Sequence, residues 1–501
     1  MEIAKISFYN PFTRFESMNT MLTELRNRVA SYGEAICNAL KSLAEIPSVA
    51  KKSDDPSMPF GEDVARALAL GCQMAEEAGA TKVVNCGHYA YADFGEIGES
   101  TAYVGVFSHL DVVPAGDGWL KCDPFTPTLE GDILYGRGVE DNKAGAVGAL
   151  FALRALKDEG YTFAHPVRLY FGADEESGME DLHRFLSDEK NLPKVSLVPD
   201  SAFPLSVGEK GICRLAVKTP KTKNILNVSG GMAMNVVTAT AEVTLAYQES
   251  LLSELEDKVR AREGYHLSYT ADEIHLKTIG VPAHASAPDG SKNAWKMAAS
   301  LLSLCRTLDA SDREICSLVA QSMQDDYGTA FGIAHTDSRF GRLTCANGLV
   351  YMEEGRIVYT FDIRYGVEFS PKALEEKTIA KTQSVGHGWD CEILENKHGF
   401  HIDDGLALTE RLLSVYREAS GNQAAMPFRM GGGTYARYLP NAYSIGTFAS
   451  YAGKRPSLPE GHGQVHGKDE YISLPMLREA ICIIAAMLTE CDASLEEAEK
   501  E

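Results

Sequence analysis

His109 and Asp111 stand two apart at the end of an apolar, β-branched run, VGVFSHLD at 104–111. Side chains two apart on a strand point the same way, so imidazole and carboxylate can aim at one spot. Downstream, Gly-Arg-Gly at 136–138 makes a loop and delivers Asp141. One imidazole and two carboxylates suit a divalent metal of zinc type. Glu175 and Glu176 follow a second apolar run, in GADEESG at 172–178. Adjacent carboxylates at a strand end face different ways, so one can bind metal while the other handles protons. Asp200 follows a third run, and His462 and His466 lie in GHGQVHGKDE at 461–470. Candidate ligands spread this widely are what two co-catalytic ions need: one bridging carboxylate and further ligands for each ion.

Taken singly, these signals are weak. An H-x-D at a strand end is more often a hydrogen-bonded pair, a Glu-Glu pair is usually a solvated turn, and a GGG turn is mostly a flexible loop. His335, His398 and His401 are given no role. The set gains weight because its members recur at strand ends.

The elements expected around them follow from periodicity. Apolar residues at helical spacing predict a helix over 20–44, stopping before Pro47, and others over 62–78 and 143–158. Strands are expected at 82–86, 102–108, 167–172 and 195–199. Strands alternating with helices imply an α/β fold, a mixed and mostly parallel sheet flanked by helices, whose ligands gather at the carboxyl ends of the strands. After Gly211 the texture changes. Strand-like segments (213–218, 234–247, 273–279, 357–364) are joined by amphipathic helices near 249–262 and 292–308. A helix over 406–420, a strand at 442–447 and a long apolar helix over 474–490 complete the chain. The simplest arrangement is a catalytic domain (1–212) interrupted by an inserted α+β lid (213–397) and then resumed (398–501).

The 501 residues exceed one ordinary core. A net charge of −22 disfavours nucleic acid and anionic membranes as partners. The 11 cysteines lack any C-x-x-C pair, so reduced thiols and a cytoplasmic location are expected. Charges through the first thirty residues interrupt any signal-peptide core, and no apolar run reaches the ~20 residues that span a bilayer.

In order, these residues resemble the dinuclear zinc aminopeptidase, carboxypeptidase and deacylase family that includes acetylornithine deacetylase (the ArgE/DapE family), and within it the PepV-type dipeptidases. The resemblance runs from about 20 to 490 and implies two zinc ions, with manganese or cobalt as alternatives. It assigns His109 and Asp200 to one ion, Glu176 and His466 to the other, and Asp141 as the bridge. Glu175 would be the general base, and Asp111 would hold the His109 ring. His466, rather than His462, heads the family's His-x-x-Asp/Asn-Glu pattern. GVPAHASAPDGSKNA (280–294) is similar to the lid motif whose histidine, here His284, polarises the scissile carbonyl. Arg364 resembles the clamp for a substrate carboxylate, Asn235 a substrate-contacting asparagine, and Gly432, Gly433 and Thr434 the glycine-rich turn beside the peptide. Asn142 and Ala144 replace the usual Asp and Gly, a change bearing on rate or metal preference. Gly366 stands where proline is common, so a looser backbone is expected there.

The implied activity is hydrolysis of dipeptides with free ends. An N-acyl amino-acid deacylase of the same family and a catalytically silent binding homologue are the rivals. The large insert favours a lid that closes on its own site and hence a monomer.

Overall fold

The computed structural model describes residues 11–403, 405–447 and 456–500, with side chains from residue 18. The chain divides into two compact units. The first comprises 1–207, 402–428 and 434–501; the second comprises 208–401 and 429–433.

The first unit is built on a sheet in which Lys82–Asn85, Ala90–Phe94, Val167–Gly172, Val104–His109, Val195–Ser201 and Ala442–Gly446 lie side by side in that order. The inner strands run parallel, and on one side Ala90–Phe94 pairs antiparallel with both Val167–Gly172 and the outermost strand, Lys82–Asn85. Val104–His109 and Val167–Gly172 are buried at every position. A strand covered on both faces reads as a continuous apolar run rather than an alternating one. The covering helix, Lys143–Asp158, is buried nearly all round, and it packs against Leu474–Ala498. A helix apolar on every side belongs in the interior. Its Gly145 is required: a Cβ there would stand 2.4 Å from Pro199 O.

The second unit carries an eight-stranded sheet whose strand pairs are all antiparallel. Leu215, Val217, Val243, Leu276 and Phe361 pack there with Trp295, Leu302 and Ile315 from its helices.

Three expectations change in detail. The first helix is interrupted at Tyr32, giving Pro11–Ser31 and Gly33–Ala44, because Gly33 follows where helix propensity is lowest short of proline. The expected strand over 234–247 is only Thr240–Ala246. Gly231 turns the chain at φ 82, where a Cβ would lie 1.9 Å from Gly348 O, and 232–239 is left as a loop. The terminal helix runs on to Ala498. Among the described residues, which include all eleven cysteines, no disulfide forms and no helix is long and apolar enough to cross a membrane.

Candidate metal centre and active site

The carboxyl ends of the parallel strands place His109, Asp111, Glu175, Glu176 and Asp200 together in the first unit, and two loops add Asp141 and His466. His109 ends its strand and is buried. Its Nε2 lies 3.3 Å from Asp141 Oδ1 and 3.7 Å from Asp200 Oδ2. The other oxygen of Asp141, Oδ2, lies 3.0 Å from His466 Nε2, which is 3.1 Å from Glu176 Oε2. Asp141 thus offers one oxygen to each of two histidines. Two sets, His109 with Asp141 and Glu176, and His109 with Glu175 and Asp200, each place ligand atoms within 4.8 Å of one another. Atoms ~2.0–2.2 Å from a shared ion stand within such separations of each other.

Asp111 sits behind this group. Its carboxylate is 3.3 Å from His109 Nδ1, whose ring also approaches the Asp111 carbonyl at 3.0 Å. The same carboxylate accepts from the backbone N–H groups of Glu175 (3.2 Å) and Glu176 (3.1 Å). One buried aspartate therefore fixes both the imidazole and the adjacent glutamates.

Asn142 explains its own departure from the family pattern. Its Nδ2 donates to Asp200 Oδ1 at 3.0 Å and to Pro199 O at 2.6 Å, and its Oδ1 accepts from the His109 N–H at 3.3 Å. A carboxylate could accept from His109 but could not donate to Asp200.

The electrostatics are those of a crowded anionic pocket. Burial, then Asp141, pushes Asp200 up to about 7. Burial, with Asp200 next, holds Glu175 well above the carboxylate range, and burial with Asp141 raises Glu176. Burial disfavours charge on His109, yet Asp200, Asp111 and Asp141 together raise it well above the imidazole range. Burial likewise opposes charge on Asp141, but His109 and His466 hold it far below the usual carboxylate value. His109 Nε2, Glu175 Oε1 and Glu176 Oε1 are buried without hydrogen-bond partners. Buried orphans of this kind call for an explanation, and converging N and O donors in an anionic pocket fit a divalent cation.

Sequence reasoning passed over several residues that shape the pocket. Glu470 and Arg137 form a fully buried ion pair at 2.6 Å. Asp181 receives the Tyr435 hydroxyl and the Ala173 N–H (2.7 Å), and the Tyr435 ring stands edge-on to His109. Gly172 makes room, since a Cβ there would meet the Tyr435 hydroxyl at 1.9 Å. Lys143 Nζ, buried, donates to the carbonyls of Leu43 and Ile46 at the end of a helix. His462, set aside as a ligand, pairs with Asp469 at 2.5 Å.

In the second unit, His284 and Asn235 are neighbours: the Ala285 N–H donates to Asn235 O at 2.8 Å, and Val236 bridges His284. His284 Nδ1 accepts from the Ser286 N–H at 3.2 Å and lies 2.7 Å from Ser286 Oγ. With Nδ1 an acceptor, the neutral ring carries its proton on Nε2. Arg364 is buried, bonded twice to Asp362, and its Nη1 donates to Gly431 O at 2.7 Å. Gly431 is a contact glycine, since a Cβ would stand 2.7 Å from Ser286 Cβ. Gly432 and Gly433 complete that run, and Thr434, in the first unit, shares a hydrogen bond with Ser444 at 2.9 Å. The backbone at Gly366 is tight rather than loose: a Cβ would lie 2.2 Å from Asp337 Oδ2, which accepts from the Glu368 N–H.

Comparison with known proteins identifies the family. A model of peptidase family M20/M25/M40 matches residues 105–490. The chain is 28% identical to a Bacillus subtilis protein named "Putative dipeptidase YtjP", over 87% of this chain and 92% of that protein. Its fold is similar to human carnosine dipeptidase 1 (TM-score 0.57, 15% identity, 94% of this chain and 100% of that one). It is also similar to the M20 family metallo-carboxypeptidase Sso-CP2 of Sulfolobus solfataricus (TM-score 0.53, 14% identity, 91% and 99%). The chain therefore belongs to the M20/M25/M40 peptidase family and is a hydrolase acting on peptide bonds.

Proposed function

We propose that the protein is a dipeptidase dependent on two divalent metal ions, which it uses to hydrolyse short peptides with free amino and carboxyl ends. The observation carrying this reading is the placement of Asp141, one oxygen 3.3 Å from His109 and the other 3.0 Å from His466. His109 and Asp200 would hold one ion, Glu176 and His466 the other, and Asp141 both. When bound, such ions acidify a water and polarise a carbonyl. Zinc suits the N and O donors; manganese or cobalt suits them too.

The chain's own groups supply the remainder. Glu175, with a buried and unpaired Oε1, takes a proton from the attacking water and returns it to the leaving amine. Asp111 keeps the His109 ring in its orientation, as carboxylates behind metal-bound imidazoles commonly do. For the second unit, the reading assigns His284 Nε2–H to the scissile carbonyl oxygen, supported by the Ser286 contact that makes Nδ1 an acceptor. It assigns Arg364 to the substrate carboxylate, Asn235 to a substrate contact, and the run through Gly432, Gly433 and Thr434 to the peptide backbone. Dipeptide specificity is supported by the name of the Bacillus subtilis relative and that of the human structural neighbour. The length of the segment between the two halves of the metal cluster supports a monomer.

The test is turnover of Ala-Ala beside N-acetyl-alanine with zinc, manganese or cobalt added. The reading expects hydrolysis of the unblocked dipeptide, and preference for the blocked amine would replace it with a deacylase. Light scattering should give one chain per particle, and an obligate dimer would reject the monomer.

A further inference from the structure

We infer that the buried Arg137–Glu470 pair is a positioning device that sets Asp141 and His466 in register for metal, an inference resting on the function proposed above. Arg137 and Glu470 are 1% and 0% exposed. A charge withdrawn from water this completely needs full compensation. Glu470 Oε2 accepts from Arg137 Nη1 at 2.6 Å and from the Gly138 N–H at 3.0 Å. Its Oε1 accepts from the N–H groups of Glu140 at 2.9 Å and Asp141 at 3.0 Å. The loop bearing Asp141 is therefore wrapped around a carboxylate 329 positions away in sequence. Successive N–H groups converging on one anion make a rigid nest. Gly138 takes φ 79 in that wrap, and a Cβ there would strike Val112 at 2.6 Å.

The same guanidinium reaches the other side of the cluster. Arg137 Nη2 donates to the carbonyl of His466 at 3.2 Å. His466 stands at φ 62 and Asp469 at φ 52, in the left-handed region that few residues other than glycine enter, though histidine and aspartate do so more readily than most. Asp469 is fixed as well, accepting from the N–H groups of Leu120 and Lys121 at 2.8 Å. One ion pair thus grips the backbone on both sides of the 3.0 Å approach between Asp141 and His466. The histidine and the bridging carboxylate, far apart in the sequence, depend on it for their separation.

Glu470→Gln keeps the shape but removes the charge and one of the two acceptor oxygens: its amide nitrogen confronts one pair of donors with donors of its own. In the full chain, with metal affinity read by competition against a chelator, this variant should bind zinc about 10–100-fold more weakly, the range found when groups behind metal ligands are replaced. Excess metal should restore turnover at an unchanged KM. A purely structural ion pair would lower the melting temperature while leaving affinity and KM in the folded protein unmoved. Affinity within twofold of wild type would overturn the inference. Should Glu470→Gln fail to fold, Arg137→Lys carries the test, because lysine keeps the charge beside Glu470 but cannot also hold His466 O; here a wild-type affinity overturns the inference. A wild-type protein that takes up no ion refutes the two-metal function itself, whereas variants that bind as tightly as a metal-loaded wild type refute the positioning role alone.

Discussion

Replacing Glu175 by glutamine separates chemistry from metal binding more cleanly than any other single change. The Glu175 carboxylate keeps Oε1 buried without a partner, while its backbone N–H is held by Asp111 at 3.2 Å. Glutamine fits the same space and leaves that backbone contact intact, but it cannot accept a proton. A positioned general base contributes typically ~10²–10⁴ in rate. At 1.36 kcal/mol per decade, the loss corresponds to about 2.7–5.4 kcal/mol of transition-state stabilisation. The assay is steady-state dipeptide hydrolysis on protein whose metal content is measured in the same preparation. The expected outcome is a kcat at least a hundredfold lower, with KM and metal content near wild type. A variant retaining a tenth or more of wild-type kcat would refute the base assignment, and one that lost metal would place Glu175 among the ligands.

Further predictions concern other parts of the site. His284→Ala should lower kcat by ~10²–10³, the usual consequence of removing one oxyanion donor, with metal content unchanged; unaltered kinetics would remove His284 from the site. Asp181 is buried and pushed up to about 7, burial being the first cause and Asp111 the second. A carboxyl whose folded-state pKa is raised stabilises the fold below its unfolded pKa near 4 and loses that contribution as pH rises towards 7. Urea titrations should therefore show Asp181→Asn gaining on wild type between pH 5 and pH 8, by roughly 2–4 kcal/mol at most; a gap independent of pH contradicts the raised value. Stripping metal with a chelator should abolish hydrolysis and lower the first melting transition. An ion at a hundred times its Kd contributes about 2.7 kcal/mol, so an unchanged transition argues against tight sites.

Much of the catalytic unit was legible because its strands are covered on both faces. Val104–His109 and Val167–Gly172 are buried throughout and mostly apolar, Arg168 being the charged exception, and each run is followed by the polar residues of the cluster. Local periodicity could find those ends, and strand-end chemistry could assemble His109, Glu175, Glu176 and Asp200. Choosing His466 over His462 needed family resemblance, because both sit in one glycine-rich loop and only the fold sends one towards Asp141 and the other towards Asp469. Glu470, Arg137 and Asp181 were hidden for a different reason. Their work is to satisfy backbone N–H groups distant in sequence, and no pattern along the chain records which amides a carboxylate will meet. The strand expected from residue 234 begins only at Thr240, because the close approach of Gly231 to Gly348 that turns the chain before it is a tertiary fact.

The central claim is that two cations share Asp141, and anomalous diffraction from crystals grown with zinc tests it most directly. The account predicts two peaks, one between His109 and Asp200 and one between Glu176 and His466, with an Asp141 oxygen on each. A single peak, or none at saturating zinc, would contradict it.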